Sequence, residues 1–368
     1  MKKLAIIGAS YLQLPLVQKA TEMGIETHCF AWEDGAVCKG VVNYFYPISI
    51  LEKEQILEIC QLVKIDGITS IASDAAVPTI CYVAEKMGLV ANCYSDALFV
   101  TDKYKMRQAF YKNGVSSPRF VFGEDAMSTD LKYPVIVKPT DRSGSRGVLK
   151  VERKEDLSNA INRAKKESFS GQTIVEEYIL GKEVSVESIS YKGKCYVLTI
   201  TDKVTTGEPY FVELEHHQPS ILPIDIQKKI ELETLKALGA LNVLYGASHT
   251  EIKITEDGNI YLIEVGARMG GDFIGSDLVQ LSTGYDFLKG VIQISLGEFE
   301  EPVLLKKECS GIYFLAKETE SVKDIIKNSD KHFEVVRAEI TDENLRSIES
   351  SSERSGYFIY QSNERFVV

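Results

Sequence analysis

The sequence predicts an α/β and α+β multidomain protein: an N-terminal doubly wound parallel sheet, a central unit built around a β-hairpin, and a small C-terminal α+β domain. Three observations predict it. Residues 1 to about 98 alternate short apolar strands with helical stretches, the βαβ rhythm of a parallel sheet. Two alternating, β-branched-rich runs, 248–255 and 260–268, flank an Asp-Gly turn at 256–259. The segment after about residue 301 alternates strands at 311–315, 334–336 and 356–360 with one short helix, 322–328. With 368 residues, 44% of them hydrophobic, the chain can bury two or three cores.

In the first unit, Leu4–Ile7, Glu26–Phe30, Ile68–Ala72 and Leu89–Val90 read as strands, and Leu12–Glu22, Lys53–Leu62 and Val77–Lys86 as helices. Gly8-Ala9-Ser10 lacks the spaced glycines of a dinucleotide fingerprint, which excludes an NAD reading. Ser73-Asp74 follows a strand's carboxyl end, where ligands of such sheets bind, though either residue also suits a helix cap. Thr101 is placed as the N-cap of a helix over Asp102–Lys112, closed by Gly114. Lys103 falls in its first turn, where a cation opposes the helix dipole; an anion from elsewhere, or plain exposure, would reconcile it.

Ser116-Ser117-Pro118 leads into the second unit. There a strand over 133–139 ends at Lys138-Pro139, and the loop Thr140–Gly147 holds two glycines, two serines and two arginines. Such a loop can present N–H groups and guanidinium forks to phosphates, or be a flexible turn; no Gly-Lys-Ser/Thr makes it a P-loop. Leu157–Lys166 reads as a helix, and Thr173–Glu177, Val184–Ile189 and Tyr196–Thr201 as strands. The segment 202–220 is irregular by this reading and includes His216 and His217, which a strand would point to opposite faces. An amphipathic helix, Ile226–Leu238, enters the hairpin, and the passage after Arg268 is rich in glycine, which permits close backbone approach.

The hairpin carries the main chemical signal. A loop centred on Asp257-Gly258 pairs positions whose numbers sum to about 515, which sets Glu251 opposite Glu264 and His249 opposite Gly266 on one face. Like charges so placed, about 5 Å apart, cost stability. Something positive between them would reverse the sign. Mg²⁺ fits, since it habitually combines one or two carboxylates with substrate phosphates. A solvated hairpin whose glutamates never meet is the alternative.

Composition narrows the partners. A net charge of −11 excludes broad nucleic-acid binding and requires local Lys and Arg wherever an anion binds. No run approaches a membrane span and no signal peptide is read at Met1-Lys2-Lys3, so a cytoplasmic location is expected. Seven scattered cysteines without Cys-x-x-Cys spacing read as reduced thiols.

Taken in order, these pieces resemble the ATP-grasp superfamily across nearly the whole chain. The resemblance implies a Rossmann-like pre-ATP-grasp domain at 1–100, a two-lobed ATP-grasp domain at 101–300 (small lobe about 116–190, large lobe about 191–300) and a C-terminal domain at 301–368. It implies that Lys103 and Lys138 contact the nucleotide phosphates under a closing loop, Arg142 to Gly147, that includes Ser143, Gly144, Ser145, Arg146 and Gly147. Glu176, Tyr178 and Ile179 are similar to the adenine hinge, Glu183 to the ribose acid, Glu251 and Glu264 to the magnesium carboxylates, and Arg268 to the arginine that steadies the transferred phosphoryl group. Gly266 departs from the asparagine many members carry there.

Within the superfamily the chain is most similar to the L-amino acid ligases, in His249–Lys253, Glu264–Arg268 and Phe211–Glu213 with His216 and Pro219-Ser220. That likeness makes Glu213, His216 and His249 substrate-pocket candidates. Asp74 joins them, and Asp272, four residues after Arg268, is placed either to receive a substrate ammonium or to cap a helix. The implied chemistry uses ATP and two Mg²⁺ ions, with Mn²⁺ as a substitute. A carboxylate becomes an acyl phosphate and a small-molecule amine displaces phosphate, with Lys138, Arg146 and Arg268 neutralising charge. Related chemistries on bicarbonate, as in carbamoyl-phosphate synthases and carboxylases, or on glycine with phosphoribosylamine, are the alternative, and a non-catalytic nucleotide sensor is a third reading. No nucleic-acid or membrane partner is expected; a homodimer is.

Overall fold

A computed structural model describes residues 1–144 and 146–368. Strands β1 (Lys3–Ile7), β2 (Glu26–Phe30), β3 (Tyr44–Tyr46) and β4 (Gly67–Thr69) form a parallel sheet in the order β3-β2-β1-β4. The near-continuous apolar run Leu4–Ile7 suits β1, a central strand covered on both faces. Helices α1 (Leu14–Glu22), α2 (Lys53–Val63) and α3 (Val77–Met87) cover it. Tyr44–Tyr46 was not expected as a strand, Leu89–Val90 is not one, and 70–72 leave the sheet early and run toward the hairpin, Ala72 N–H bonding Met269 O.

After α4 (Ala97–Thr101) comes α5 (Lys103–Lys112). Its cap is Asp102, whose carboxylate accepts the Lys105 N–H at 2.8 Å, and not Thr101, whose hydroxyl bonds back to Ala97 O inside α4. A small antiparallel sheet follows, β5 (Phe120–Phe122), β6 (Val135–Pro139), β7 (Leu149–Val151) and β8 (Thr173–Glu177), ordered β5-β8-β6-β7, with α6 (Leu157–Glu167) packed on it.

The rest of the chain builds one eight-stranded antiparallel sheet. Its strands are β9 (Lys182–Tyr191), β10 (Lys194–Thr205), β11 (Glu213–Gln218), β12 (Gly246–Ile254), β13 (Ile260–Gly266), β14 (Cys309–Leu315), β15 (Val335–Ile340) and β16 (Gly356–Ser362), in the order β13-β12-β9-β10-β11-β14-β16-β15. Two sheet assignments differ from the sequence reading. Lys182–Tyr191, read as the end of the small lobe, pairs into the large sheet, and the C-terminal strands extend that sheet. His216 and His217 lie on a regular strand and do face opposite sides. Strand alternation divides the β9/β12 surface: Val184, Val186, Ile252 and Ile254 pack beneath α7 (Ile224–Ala240), while Ser185, Glu187, His249 and Glu251 turn to the other side. Helices α8 (Val279–Thr283), α9 (Phe287–Ser295) and α10 (Val322–Lys327) complete the fold. No helix among the described residues is long and apolar enough to cross a membrane.

Candidate active site

The hairpin pairs His249 with Gly266, Thr250 with Val265 and Glu251 with Glu264, so the two carboxylates do stand opposite each other. A bulge follows, and Ile252 pairs with Leu262, shifting the turn half of the hairpin by one residue. The extra residue is Ile263, whose carbonyl accepts from Arg107 Nη2 at 2.6 Å.

Each glutamate has met a cation. Lys103 Nζ lies 2.6 Å from Glu264 and donates to Arg142 O at 2.7 Å, so the lysine misplaced for its own helix dipole is held by acceptors from two other elements. Lys203 Nζ, 3% exposed, sits among Glu183 at 2.7 Å, Glu251 at 3.3 Å and Glu213 at 3.5 Å. Burial opposes its charge, but three carboxylates raise the Lys203 ammonium well above its usual range. Burial likewise pushes the Glu251 carboxyl up, and Lys203, His249 and Arg268 together hold it well below normal.

Lys138 ends β6, buried, with Nζ 2.7 Å from Glu176; the same carboxylate lies 2.7 Å from Arg107 Nε. The Glu176 carboxylate therefore pairs with two cations and positions Lys138 while also bordering the cleft. Tyr178 and Ile179 do line the cleft, the Tyr178 ring lying 4.6 Å from Lys150 Nζ and 5.0 Å from Lys253 Nζ. Glu183 is there too, bonded to Lys203.

Arg268 is held in a fork by Asp74, Nε–Oδ1 2.8 Å and Nη2–Oδ2 3.0 Å. Asp74 thus pairs with Arg268 and makes no helix-cap hydrogen bond, and it borders the cleft. A β-carbon on Gly266 would fall 2.7 Å from Asp74 Oδ1 and 3.0 Å from Arg268 Nε. That contact explains the missing asparagine, because any side chain there collides with the ion pair. His249 Nδ1 bonds Glu187, and its Nε2 lies 3.6 Å from Glu251; burial opposes the charge, yet Glu187 raises the imidazole to about 9. Glu187 also accepts the Gly270 N–H at 3.0 Å, and a β-carbon at Gly270 would meet Glu187 and His249 at 2.7 and 2.8 Å. The glycine-rich passage is required by this close approach.

Of the loop residues, Ser143 and Gly144 border the cleft and Arg146 is exposed beside it. Gly147, at φ +73°, packs against Pro139 and Glu167 instead. Arg142 stacks 3.6 Å over Phe169 and bonds Glu167 O, turned from the phosphate role given to the loop arginines. Ser145 lies outside the described residues. The cleft between the two antiparallel sheets has a cavity volume of about 210 Å³. It adjoins a space of about 610 Å³ reaching Tyr11, Glu213, His216, Asp272 and Arg354. Asp272 caps no helix here, and Arg354 Nη1 and Nη2 hold its carboxylate at 2.9 Å where it borders this space.

Residues 131–277 match the ATP-grasp domain family. Over those residues the chain is similar to an ATP-grasp domain. Alanine–anticapsin ligase from Bacillus subtilis (strain 168) is 31% identical over 245 residues, 59% of this chain and 51% of that protein. D-Alanine–D-alanine ligase from Geobacter sulfurreducens is 28% identical over 154 residues, 40% of this chain and 46% of that protein. The chain thus spans about half the length of the curated relatives it matches. The crystal structure of L-amino acid ligase from Bacillus licheniformis superposes with TM-score 0.81 at 24% identity, covering 99% of this chain and 94% of that one. Phosphoribosylglycinamide synthetase from Anaerococcus prevotii gives 0.78 at 21%, with the same coverages.

ATP-grasp enzymes use ATP, and Mg²⁺ is typical of the family. The residues fit such an ion as partial ligands. Glu251 and Glu264 offer only hard oxygen donors, and among the described residues no group of three or more His, Cys, Asp or Glu is arranged to cage a metal, so phosphate oxygens would have to complete the sphere. Four residues that pair with the candidate site's side chains escaped the sequence reading: Lys203, Glu187, Arg107 and Arg354. The i, i+4 spacing of Lys103 and Arg107 on α5 was a usable sign for one of them.

Proposed function

We propose that this chain is an ATP-dependent carboxylate–amine ligase that joins two amino acids through an acyl phosphate. The observation that carries the reading is the convergence of the opposed Glu251 and Glu264 with Lys103, Lys138 and Arg268 in one cleft. Units at 1–100, 101–300 and 301–368 are part of the proposal, as is a homodimer.

Phosphoryl transfer asks mainly for positioning and charge neutralisation. In this reading Lys138, fixed by Glu176, and Lys103 receive the triphosphate, with adenine at Tyr178 and Ile179 and the ribose at Glu183. Arg146, with Ser143 to Gly147, closes over the phosphates and excludes the water that would hydrolyse an acyl phosphate. Arg268, held in its fork by Asp74, steadies the transferred group and the substrate carboxylate. Glu213, His216 and His249 face the amino acids. Glu251 and Glu264 would hold Mg²⁺, which supplies Lewis-acid neutralisation of the phosphates when bound.

The test is phosphate release from ATP with Mg²⁺ and pairs of amino acids, with products identified by mass spectrometry. Release that requires two amino acids and is lost in Glu264→Gln supports the proposal. Release that needs bicarbonate alone, or ATP binding with no turnover on any amino-acid pair, refutes it.

A further inference from the structure

We propose that the end of the larger space at His216, Asp272 and Arg354 receives the side chain of one amino-acid substrate and selects a neutral hydrogen-bonding group, an amide or a hydroxyl, over apolar or charged ones. The inference rests on the ligase reading and deepens it.

His216 stands on β11, 1% exposed, and borders this space. Among the described residues neither of its ring nitrogens has a hydrogen-bond partner. The acid beside it, Asp272 Oδ2, is 3.9 Å from Nε2, beyond a hydrogen bond. Phe314 meets the imidazole edge-on at 5.8 Å and offers no acceptor atom. A neutral imidazole owns one donor and one acceptor, and both remain unused by the protein. An apolar side chain that sealed this end would strand them without water, an unfavourable outcome.

A charged side chain fares no better. Arg354 gives Nη1 and Nη2 to Asp272 at 2.9 Å and Nε to Ser351 O at 2.9 Å, and lies 3.7 Å over the Phe314 ring. Each of its three nitrogens is engaged and its charge is paired with Asp272, while burial lowers the His216 imidazole below its usual range. An incoming ammonium or carboxylate would shed its water and find no unpaired counter-charge among His216, Asp272 and Arg354. An amide or hydroxyl brings its own donor and acceptor and can also use the outer lone pairs of Asp272, whose side chain is 24% exposed.

The test holds glycine, which contributes no side chain, as one substrate and varies the other, counting both product orders. Sites built to hydrogen-bond a substrate group reject analogues that lack it far more strongly than sites that read size alone. The expected result is kcat/KM for glutamine at least about tenfold above methionine, threonine at least about tenfold above valine, and both above glutamate and lysine. His216→Phe should bring the two ratios toward one, and His216→Asn, which keeps donor and acceptor, should retain part of the preference. A wild-type enzyme that favours methionine, valine or charged residues overturns the inference while leaving the ligase reading intact, and so does a preference unchanged in His216→Phe. The wild-type comparison decides even if a variant fails to fold. Absence of turnover on every pair sinks the ligase reading and this one with it.

Discussion

Gly266→Ala tests whether the site depends on the Asp74–Arg268 fork. The new methyl would stand 2.7 Å from Asp74 Oδ1 and 3.0 Å from Arg268 Nε and Cζ, against roughly 3.5–4.0 Å for an ordinary contact. Gly266 has no left-handed backbone requirement, so crowding is the whole effect. Relief means moving the ion pair by about 0.5–1 Å or breaking one of its two hydrogen bonds, and misplacement on that scale costs on the order of 100-fold in rate. We expect kcat for amino-acid-dependent phosphate release to fall about 10- to 100-fold, while KM for ATP changes little because Lys103 and Lys138 are untouched. Loss of one charged hydrogen bond would also lower unfolding stability by about 1.5–3 kcal/mol. Asp74→Ala removes the atom nearest the methyl, so adding Gly266→Ala to it should cost less than in the wild type. An unchanged kcat in the single variant, or equal costs in both backgrounds, refutes the reasoning.

Lys203→Met would leave Glu183, Glu213 and Glu251 around an apolar group; urea unfolding should show a loss of about 3–5 kcal/mol, and a loss below 1 kcal/mol would count against it. Glu176→Gln would loosen Lys138 and Arg107 together, raising KM for ATP about tenfold or more in steady-state assays with little change in adenine contacts. His28, buried and bonded to Tyr46 and Glu26, has its pKa lowered by burial below its ordinary 6.5. The unfolded chain then binds the extra proton first, so stability should fall as pH drops below about 6.5 and level off under the folded value; His28→Gln should flatten that limb in melts at pH 5.5 and 7.5.

How far the sequence revealed the site depended on range. The Glu251–Glu264 pairing was legible because hairpin register follows from the turn and the two-residue strand period, both local. Thr173–Glu177 was located for the same reason, being an apolar run with clear ends. The bulge at Ile263 was not, since it answers to Arg107, more than 150 residues away. Lys203 was hidden because its strand was read as ending at Thr201, which left no alternation to place its side chain with the glutamates. Arg354 pairs with Asp272 across 82 residues, and no pattern near either residue marks the other. Glu176 was placed by resemblance at the adenine hinge, and its pairing with Lys138 and Arg107 from two other elements had no local sign.

These long-range pairs share a physical logic. In a chain of net charge −11, the cations that the proposed reaction would set on a triphosphate must also survive its absence inside a largely desolvated cleft. Each therefore has an acid: Lys103 has Glu264, Lys138 has Glu176, Lys203 has three glutamates, and Arg268 has Asp74. Two of those acids, Glu251 and Glu264, are also the metal candidates. In the proposed reaction a divalent cation would replace lysine as their counter-charge, and the lysine charge would become available to phosphate. Neither Mg²⁺ nor ATP alone offers that exchange, so the arrangement favours the two arriving as one complex.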